Sequence, residues 1–251
     1  MSTYHIYPLA LGTMLLDQSS LCYARNPGTK IPCVMLAFLI QGGRSPILVD
    51  TGCCGEEWAA AYHAPITIPE EMTFSRQLRQ HGVSPEDIGI VINTHLHWDH
   101  CFHNDMFPHA KIYVQKKELE FAQSPLPTQY RAYECAQMGL TPPWESTKEQ
   151  FVLVDGDHPL ADGIELIFLP GHTPGSQGVL VDTEKGKYLI AGDAVQSNDA
   201  LENKTFGMIH PSGVHVDLFE YYETLKKMEN LDAHIIPGHE ITVIDQKVYP
   251  N

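Results

Sequence analysis

The stretch THLHWDH, residues 94–100, places four residues of metal-ligand type within six positions, from His95 to His100. Side chains two positions apart in an extended segment point the same way, so His95 and His97 can bind one ion. Asp99 and His100 are neighbours whose side chains diverge, and a single ion does not use all four. The spacing therefore indicates a site for two metal ions, provided that the rest of the chain supplies further ligands.

Three more apolar runs end on a residue of the same type further along the chain. They read IFLPGH, YLIAGD and IIPGH, and they end on His172, Asp193 and His239. In each of them a glycine comes immediately before the ligand-type residue, where a tight turn or a close backbone approach is easiest. The prediction assigns three imidazoles to one ion, three ligands to the other and one carboxylate as a bridge: His95, His97 and His172; Asp99, His100 and His239; and Asp193.

Imidazole and carboxylate ligands without thiolate favour Zn²⁺, with Mn, Fe or Co as substitutes. One histidine or aspartate at a strand end is usually a capping or surface residue, but seven in this order are far more specific. Histidines without such company, for example His109, are interpreted as surface residues. Cys53, Cys54 and Cys101 lie beside the motifs, but no separate base is identifiable for them, so thiol catalysis is not predicted.

The composition and the net charge limit which binding partners and which cellular compartment are expected. The 251 residues fit one compact domain (1–251), and a hydrophobic content of 43% is ample for a core. The formal net charge of −15 disfavours nucleic acid and anionic membranes as partners. No apolar run approaches the ~20 residues of a membrane-spanning helix, and the first residues do not resemble a signal peptide. We therefore expect a cytoplasmic monomer or homodimer, with free thiols, that acts on a small molecule.

Apolar runs bounded by Gly, Pro or Asp alternate with helix-like segments. The predicted strands are 33–40, 46–52, 88–95, 111–114, 164–172, 178–182, 187–193 and 234–239. The predicted helices are 73–81, 116–122 and 217–230, the last with Asp217 as its N-cap. This alternation indicates a layered α/β fold whose sheets are covered by outer helices. The stretches 53–71 and 124–149 are irregular, and we interpret them either as binding loops or as surface excursions or subunit contacts.

These motifs resemble those of the metallo-β-lactamase-fold hydrolases over nearly the whole chain. The matching residues are Asp50-Thr51-Gly52, the series from His95 to His100, Gly171-His172, Gly192-Asp193 and Gly238-His239. The resemblance implies an αββα sandwich of the metallo-β-lactamase type, with a dinuclear site at one edge of its sheets. It also implies that Asp50 orients a ligand and does not itself bind metal.

Within that superfamily the chain is most similar to the N-acyl homoserine lactonases, which are quorum-quenching hydrolases. MLLDQSS (14–20), SPILVDTG (45–52) and the overall length are similar to that group. Two departures concern the substrate. Gln196 stands where the lactonases carry a tyrosine that faces the substrate carbonyl, and Phe102 and His103 stand where they carry glycines. Gln196 is thus the predicted substrate-binding residue. Phe102 and His103 are bulkier than glycine and are expected to narrow the space near His100, so long acyl chains are expected to be disfavoured.

The resemblance implies hydrolysis of a lactone or similar acyl ester by a metal-bound hydroxide. Asp99 is the predicted catalytic residue, because a carboxylate there can orient the nucleophile and carry a proton to the leaving group. The alternatives are a hydrolase of another small substrate, such as a cyclic amide, an aryl ester or a thioester, and a non-catalytic protein whose metals only stabilise the fold. Structural zinc generally has four ligands in a closed site, which argues against the last alternative. His210 and His215 are further candidates for the cavity.

Overall fold

The computed structural model describes residues 3–204 and 207–251, which form twelve β-strands and eight α-helices. The strands are β1 His5–Asp17, β2 Lys30–Gln41, β3 Ile47–Val49, β4 Ile66–Thr67, β5 Ile90–Ile92, β6 Lys111–Gln115, β7 Phe151–Val154, β8 His158–Ala161, β9 Ile164–Phe168, β10 Gln177–Thr183, β11 Gly186–Ile190 and β12 Ala233–Ile236. The helices are α1 Gln18–Leu21, α2 Glu56–Tyr62, α3 Phe74–Gln80, α4 Trp98–Cys101, α5 Lys116–Gln123, α6 Tyr130–Tyr133, α7 Asn198–Glu202 and α8 Leu218–Asn230.

The strands form two sheets. The larger has the order β4-β1-β2-β3-β5-β6-β7, in which β3, β5, β6 and β7 run parallel. The smaller has the order β12-β11-β10-β9-β8, in which β11 and β12 are parallel and β9 shares their direction because both β9 and β11 are antiparallel to β10. Strands that share a direction have their carboxyl ends at the same edge. The loops after β3 and β5 therefore leave one sheet together, as do the loops after β9, β11 and β12 in the other.

Strand β2 shows the layering most clearly, because its side chains alternate between two cores. Its even-numbered residues from 34 to 40 pack with residues of the smaller sheet such as Leu166. Its odd-numbered residues from 33 to 39 belong to a second core that includes α3 and α5. A third core lies between the smaller sheet and α8, where Leu225 is fully buried. The layers are helix, sheet, sheet, helix, and the predicted αββα sandwich is confirmed.

Four predicted strands end before the ligand-type residues of the motifs. The predicted runs 88–95, 164–172, 187–193 and 234–239 are extended only to Ile92, Phe168, Ile190 and Ile236. The ligand-type residue stands four positions beyond the end of β9 and three positions beyond the end of each of the other three strands. A loop there is not bound by the alternation of a pleated strand, so neighbouring side chains can turn toward a common point.

Other predictions are corrected or confirmed locally. Strands β1, β4, β7 and β8 were not predicted from the sequence, and the stretch 53–71 contains α2. The N-cap prediction is confirmed, because the Asp217 carboxylate accepts a 3.0 Å hydrogen bond from the Glu220 N–H. Within the described ranges, no helix is long and apolar enough to cross a membrane.

Candidate metal centre and its cavity

All seven predicted ligands converge at one edge of the sandwich. Four follow β5 in the larger sheet, namely His95, His97, Asp99 and His100. The other three follow β9, β11 and β12 in the smaller sheet, namely His172, Asp193 and His239. Donor atoms lie within 4.8 Å of one another in three groups: His95, His97 and His172; Asp99, His100 and His239; and His95, His100 and Asp193.

Asp193 lies between the two groups of imidazoles. Its Oδ2 is 3.3 Å from His172 Nε2, while its Oδ1 is 3.2 Å from His100 Nε2 and 3.1 Å from His239 Nε2. Each carboxylate oxygen thus faces a different group. That is the arrangement expected of a carboxylate that bridges two ions.

Two glycines allow the loops of the smaller sheet to meet at this point. A Cβ on Gly238 would lie 2.6 Å from the Gly192 carbonyl oxygen, and a Cβ on Gly192 would lie 2.8 Å from the Thr94 Cβ. Gly192 also has φ +52°, in the left-handed region that favours glycine. The glycine before each of the last two ligand-type residues is therefore needed for close backbone packing.

Asp50 touches the imidazole rings from outside the donor cluster. It is buried, and its Oδ2 accepts hydrogen bonds from His100 Nδ1 and Thr94 Oγ1, both at 2.8 Å. Thr94 Oγ1 in turn lies 3.1 Å from His95 Nδ1, whose N–H it can accept. Asp50 and Thr94 therefore orient His95 and His100, a role that the sequence analysis expected for Asp50 but not for Thr94.

The electrostatics of the cluster reflect deep burial. Burial, helped by neighbouring imidazoles, lowers the pKa of His95 and His97 well below the usual value for histidine. Burial also acts against protonation of His100, but the carboxylates of Asp193, Asp99 and Asp50 raise its pKa well above that value. His95 and His97 are thus neutral, the form that binds metal, whereas the protonated form of His100 is favoured until a metal ion takes the place of its proton.

Several donor atoms of the cluster lack a partner. Among the described residues, His95 Nε2, His100 Nε2 and Asp193 Oδ1 are buried without a hydrogen bond. Buried polar atoms are rarely left unpaired in folded proteins. Together with the chemistry of imidazole and carboxylate, these orphaned atoms fit divalent metal ions at this position.

Glu118, on α5, is a buried residue that builds the site and that the sequence analysis did not identify. Its Oε1 accepts hydrogen bonds from the Leu96 N–H at 2.9 Å and the Tyr133 O–H at 2.7 Å. Its Oε2 accepts from Thr173 Oγ1 at 2.6 Å and from the Gly175 N–H at 3.2 Å. Burial raises the pKa of this carboxyl group, and the four hydrogen bonds oppose that rise. Because Glu118 lies in a Lys- and Glu-rich helix, the sequence carries no signal that distinguishes it from a solvated residue.

A cavity of about 350 Å³ opens onto the cluster. Its base includes Asp99, the most exposed of the predicted ligands, together with His97, His172, Asp193 and His239. One side is apolar and is lined by Met14, Leu16 and Leu21. Another wall comes from residues 63–64 and 128–132. The two irregular stretches noted in the sequence therefore both line this cavity, in agreement with the binding-loop interpretation.

Gln196 lines the same cavity, buried beside Asp193. Its carboxamide Nε2 donates to Asp193 Oδ2, and its Oε1 accepts a 2.7 Å hydrogen bond from Ser212 Oγ. The side chain thus links the central carboxylate to the loop before α8. Only one of its two amide hydrogens is used in this way, which leaves the other for a bound molecule.

Four other residues that the sequence analysis considered lie away from the cavity. Its lining includes neither Phe102 nor His103: Phe102 packs against the helix-side core, and the His103 ring lies 6.1 Å from that of Phe74. They do not narrow the cavity as expected, because their side chains turn toward that core. His210 and His215 are also absent from the lining, although Val214 is part of it.

A second cluster consists of Cys54, His63 and Glu134, of which His63 is part of the cavity wall. His63 Nε2 is 2.6 Å from Glu134 Oε1, which also accepts a 2.7 Å hydrogen bond from Trp58 Nε1. Donors about 2.1 Å from one tetrahedral ion are roughly 3.4 Å apart, so 2.6 Å indicates a hydrogen bond and not a shared metal. The His63 ring also stacks on Trp98, with centroids 3.9 Å apart. This cluster therefore braces the wall beside Asp99.

A helix-covered double sheet with a buried His and Asp centre at one edge defines a class of metal-dependent hydrolases. A model of the Metallo-beta-lactamase superfamily matches residues 32–239, and the chain belongs to that superfamily. This family membership confirms the resemblance that the motifs predict.

Several individual relatives are N-acyl homoserine lactonases. An N-acyl homoserine lactonase of Bacillus sp is 30% identical over 214 residues, which is 81% of each chain. The N-acyl homoserine lactonase AiiA of Bacillus thuringiensis subsp. kurstaki is 28% identical over 252 residues, covering 96% of this chain and 95% of that protein. Among solved structures, an N-acyl homoserine lactone hydrolase with the product N-hexanoyl-L-homoserine at its catalytic metal centre superposes with a TM-score of 0.79 at 24% identity. That superposition covers 100% of this chain and 99% of the other, and it shows a shared fold.

Proposed function

We propose that the chain opens the ester ring of an N-acyl homoserine lactone or a closely similar lactone, at a centre of two Zn²⁺ ions. The observation that carries the proposal is the convergence of seven His and Asp residues at the base of one cavity. The names of the relatives supply the substrate class. Opening such lactones would be a quorum-quenching activity.

In this proposal His95, His97 and His172 hold one ion, Asp99, His100 and His239 hold the other, and Asp193 bridges them. The donor set favours zinc, and Mn, Fe or Co have similar preferences. Two bound zinc ions supply a lowered pKa for water and a polarised ester carbonyl. Proton transfer and substrate binding would depend on side chains of the protein.

Asp99 is the proposed catalytic residue. Its carboxylate is the most exposed of the seven and lines the cavity, so it can take a proton from the attacking water and return it to the leaving alkoxide. Gln196 is the proposed substrate-binding residue, through the amide hydrogen that Asp193 does not occupy. The apolar side formed by Met14, Leu16 and Leu21 is suited to the hydrocarbon part of an acyl group.

The arrangement disfavours a protein whose metals only stabilise the fold, because the cluster forms the base of an open cavity instead of a closed structural site. We retain the cytoplasm as the proposed compartment, since Cys22, Cys33, Cys53, Cys54, Cys101 and Cys135 are all free thiols.

The test is a hydrolysis screen of the zinc-loaded protein against lactones, cyclic amides, aryl esters and thioesters. Lactones should give the highest kcat/KM, and Asp99→Asn should lower kcat about 100-fold, the usual scale of a lost proton-transfer group. Asp105→Asn is the matched control, because Asp105 is exposed on a neighbouring turn. Faster turnover of an amide or a thioester than of any lactone would replace the proposed substrate class.

A further inference from the structure

Four of the five imidazoles in the cluster follow one pattern. Each directs Nε2 to the cluster and has its Nδ1 in a hydrogen bond with the surrounding protein. The Nδ1 partners of His95, His100, His172 and His239 are Thr94 Oγ1 at 3.1 Å, Asp50 Oδ2 at 2.8 Å, the Val214 carbonyl at 2.7 Å and the Val34 carbonyl at 3.0 Å. Such partners fix the tautomer of a metal-binding histidine and the orientation of its ring.

His97 has the opposite orientation. Its Nδ1 faces the cluster, 3.2 Å from His172 Nε2, so its Nε2 points outward. That Nε2 is buried and has no hydrogen-bond partner among the described residues. Leaving a buried N–H without a hydrogen-bond partner costs free energy. A metal-binding imidazole normally donates its other ring N–H to a nearby acceptor, so the lack of one here is unexpected.

Gln129 presents the matching atom. Its side chain is buried and lines the cavity beside His97, and within the described part of the chain its Oε1 is likewise buried without a hydrogen bond. Its carboxamide lies close enough to His97 to act on that ring as a hydrogen-bond partner. The Tyr133 ring, one turn further along the same segment, contacts His97 edge-on at 4.6 Å between centroids. The segment from 127 to 133 therefore covers the outer edge of this one imidazole.

We propose that Gln129 is a positioning residue for His97. Its Oε1 accepts the Nε2–H of His97, which holds the hydrogen on Nε2 and leaves the Nδ1 lone pair for the metal. A rotation of the carboxamide that brings Oε1 to this hydrogen would give both orphaned atoms a partner. The inference rests on the proposed role of His97 as a ligand, and it adds a residue from the irregular stretch 124–149 to the metal centre.

Three variants test the proposal. Gln129→Met keeps the size of the side chain but removes the acceptor, and Gln129→Glu keeps the acceptor. Gln123→Met makes the same change at an exposed position on α5. Zinc affinity is measured by competition with a chelator. Gln129→Met should bind one of its ions about 10- to 100-fold more weakly, the usual effect of losing such a partner. Gln129→Glu and Gln123→Met should bind zinc like the natural protein.

A second readout is the tautomer of His97, from long-range ¹H–¹⁵N spectra of the zinc-loaded protein. The natural chain should show the hydrogen on Nε2, with a downfield shift that Gln129→Met loses. The proposal concerns only the accepting oxygen of the carboxamide, which Gln129→Met removes and Gln129→Glu keeps. It would be overturned if Gln129→Met bound zinc as tightly as the natural protein, or if Gln129→Glu lost as much zinc affinity as Gln129→Met. Neither readout needs a substrate. A protein that binds zinc in this way but opens no lactone would contradict the proposed function alone.

Discussion

Thr173 Oγ1 donates a 2.6 Å hydrogen bond to Glu118 Oε2, which ties the residue after His172 to a carboxylate of α5. The other oxygen of Glu118 accepts from the N–H of Leu96, which lies between His95 and His97. One buried side chain thus connects the loop after β5 in the larger sheet with the loop after β9 in the smaller. The relative placement of His95, His97 and His172 therefore depends on Glu118.

Glu118→Gln should lower the free energy of unfolding by about 1–3 kcal/mol, because an amide NH₂ would face donors that now meet an oxygen. The Leu96 and Gly175 N–H groups cannot reverse their direction. Urea unfolding measures the change. Glu120→Gln, at an exposed position on the same helix, should change stability by only about 0.5 kcal/mol or less. Equal stability of the two variants would contradict the connecting role of Glu118.

Asp50→Asn should weaken zinc binding about 10- to 100-fold while leaving the fold intact. The amide keeps the size of the carboxylate and tolerates the left-handed φ of 60° at this position, but it is a poorer acceptor for His100 Nδ1. Chelator competition is the measurement, with Asp105→Asn as the control. Unchanged affinity would mean that His100 is oriented without Asp50.

The natural protein should hold two metal ions per chain, and elemental analysis after zinc-replete expression checks this number. Asp193→Ala should lose at least one ion and nearly all turnover, because one oxygen of Asp193 faces each of the two imidazole groups. His109→Ala should keep both ions, since His109 is exposed. Similar losses in the two variants would show that the ligand assignment is wrong.

Gln196→Tyr should raise kcat/KM for long-chain N-acyl homoserine lactones by up to about tenfold. A ring can pack against an acyl chain, whereas the carboxamide cannot, and each CH₂ group that the ring covers contributes about 0.8 kcal/mol. The measurement is a chain-length series with metal content determined in parallel, because the variant also loses the hydrogen bonds to Asp193 and Ser212. Efficient turnover of long chains by the natural protein would remove the expected role of Gln196 in substrate choice.

Alkylation of the native protein by iodoacetamide at pH 8 should be slow at every cysteine whose pKa is raised. Burial raises the pKa of Cys22 to about 11 and of Cys33 and Cys54 to about 12. Since the thiolate is the reactive form, its fraction at pH 8 is small and increases only as the pH approaches these values. Mass spectrometry should show labelling of all six cysteines in denaturant. Rapid native labelling of Cys54 with loss of activity would revive a thiol mechanism.

The sequence indicates the candidate ligands more clearly than the residues around them, for a physical reason. His95 to His100 and the three later strand ends carry residue types and spacings that few other structures require. Glu118 and Gln129 have no such signal, because a polar residue in a helix-like or irregular stretch is ordinarily solvated. Only the packing of α5 and of the segment 127–133 against the loops makes them buried. The pairing of His63 with Glu134 depends on how two irregular stretches meet, which spacing along the chain does not determine.

The candidate ligands come from both sheets, four from the larger and three from the smaller, so zinc bound there would join the two halves of the sandwich as well as serve turnover. An ion that binds only the folded chain adds to its stability in proportion to the logarithm of the free ion concentration. Zinc supply would then govern how long each molecule survives proteolysis in the cell. A shortage of zinc would then lower the amount of the protein as well as its activity.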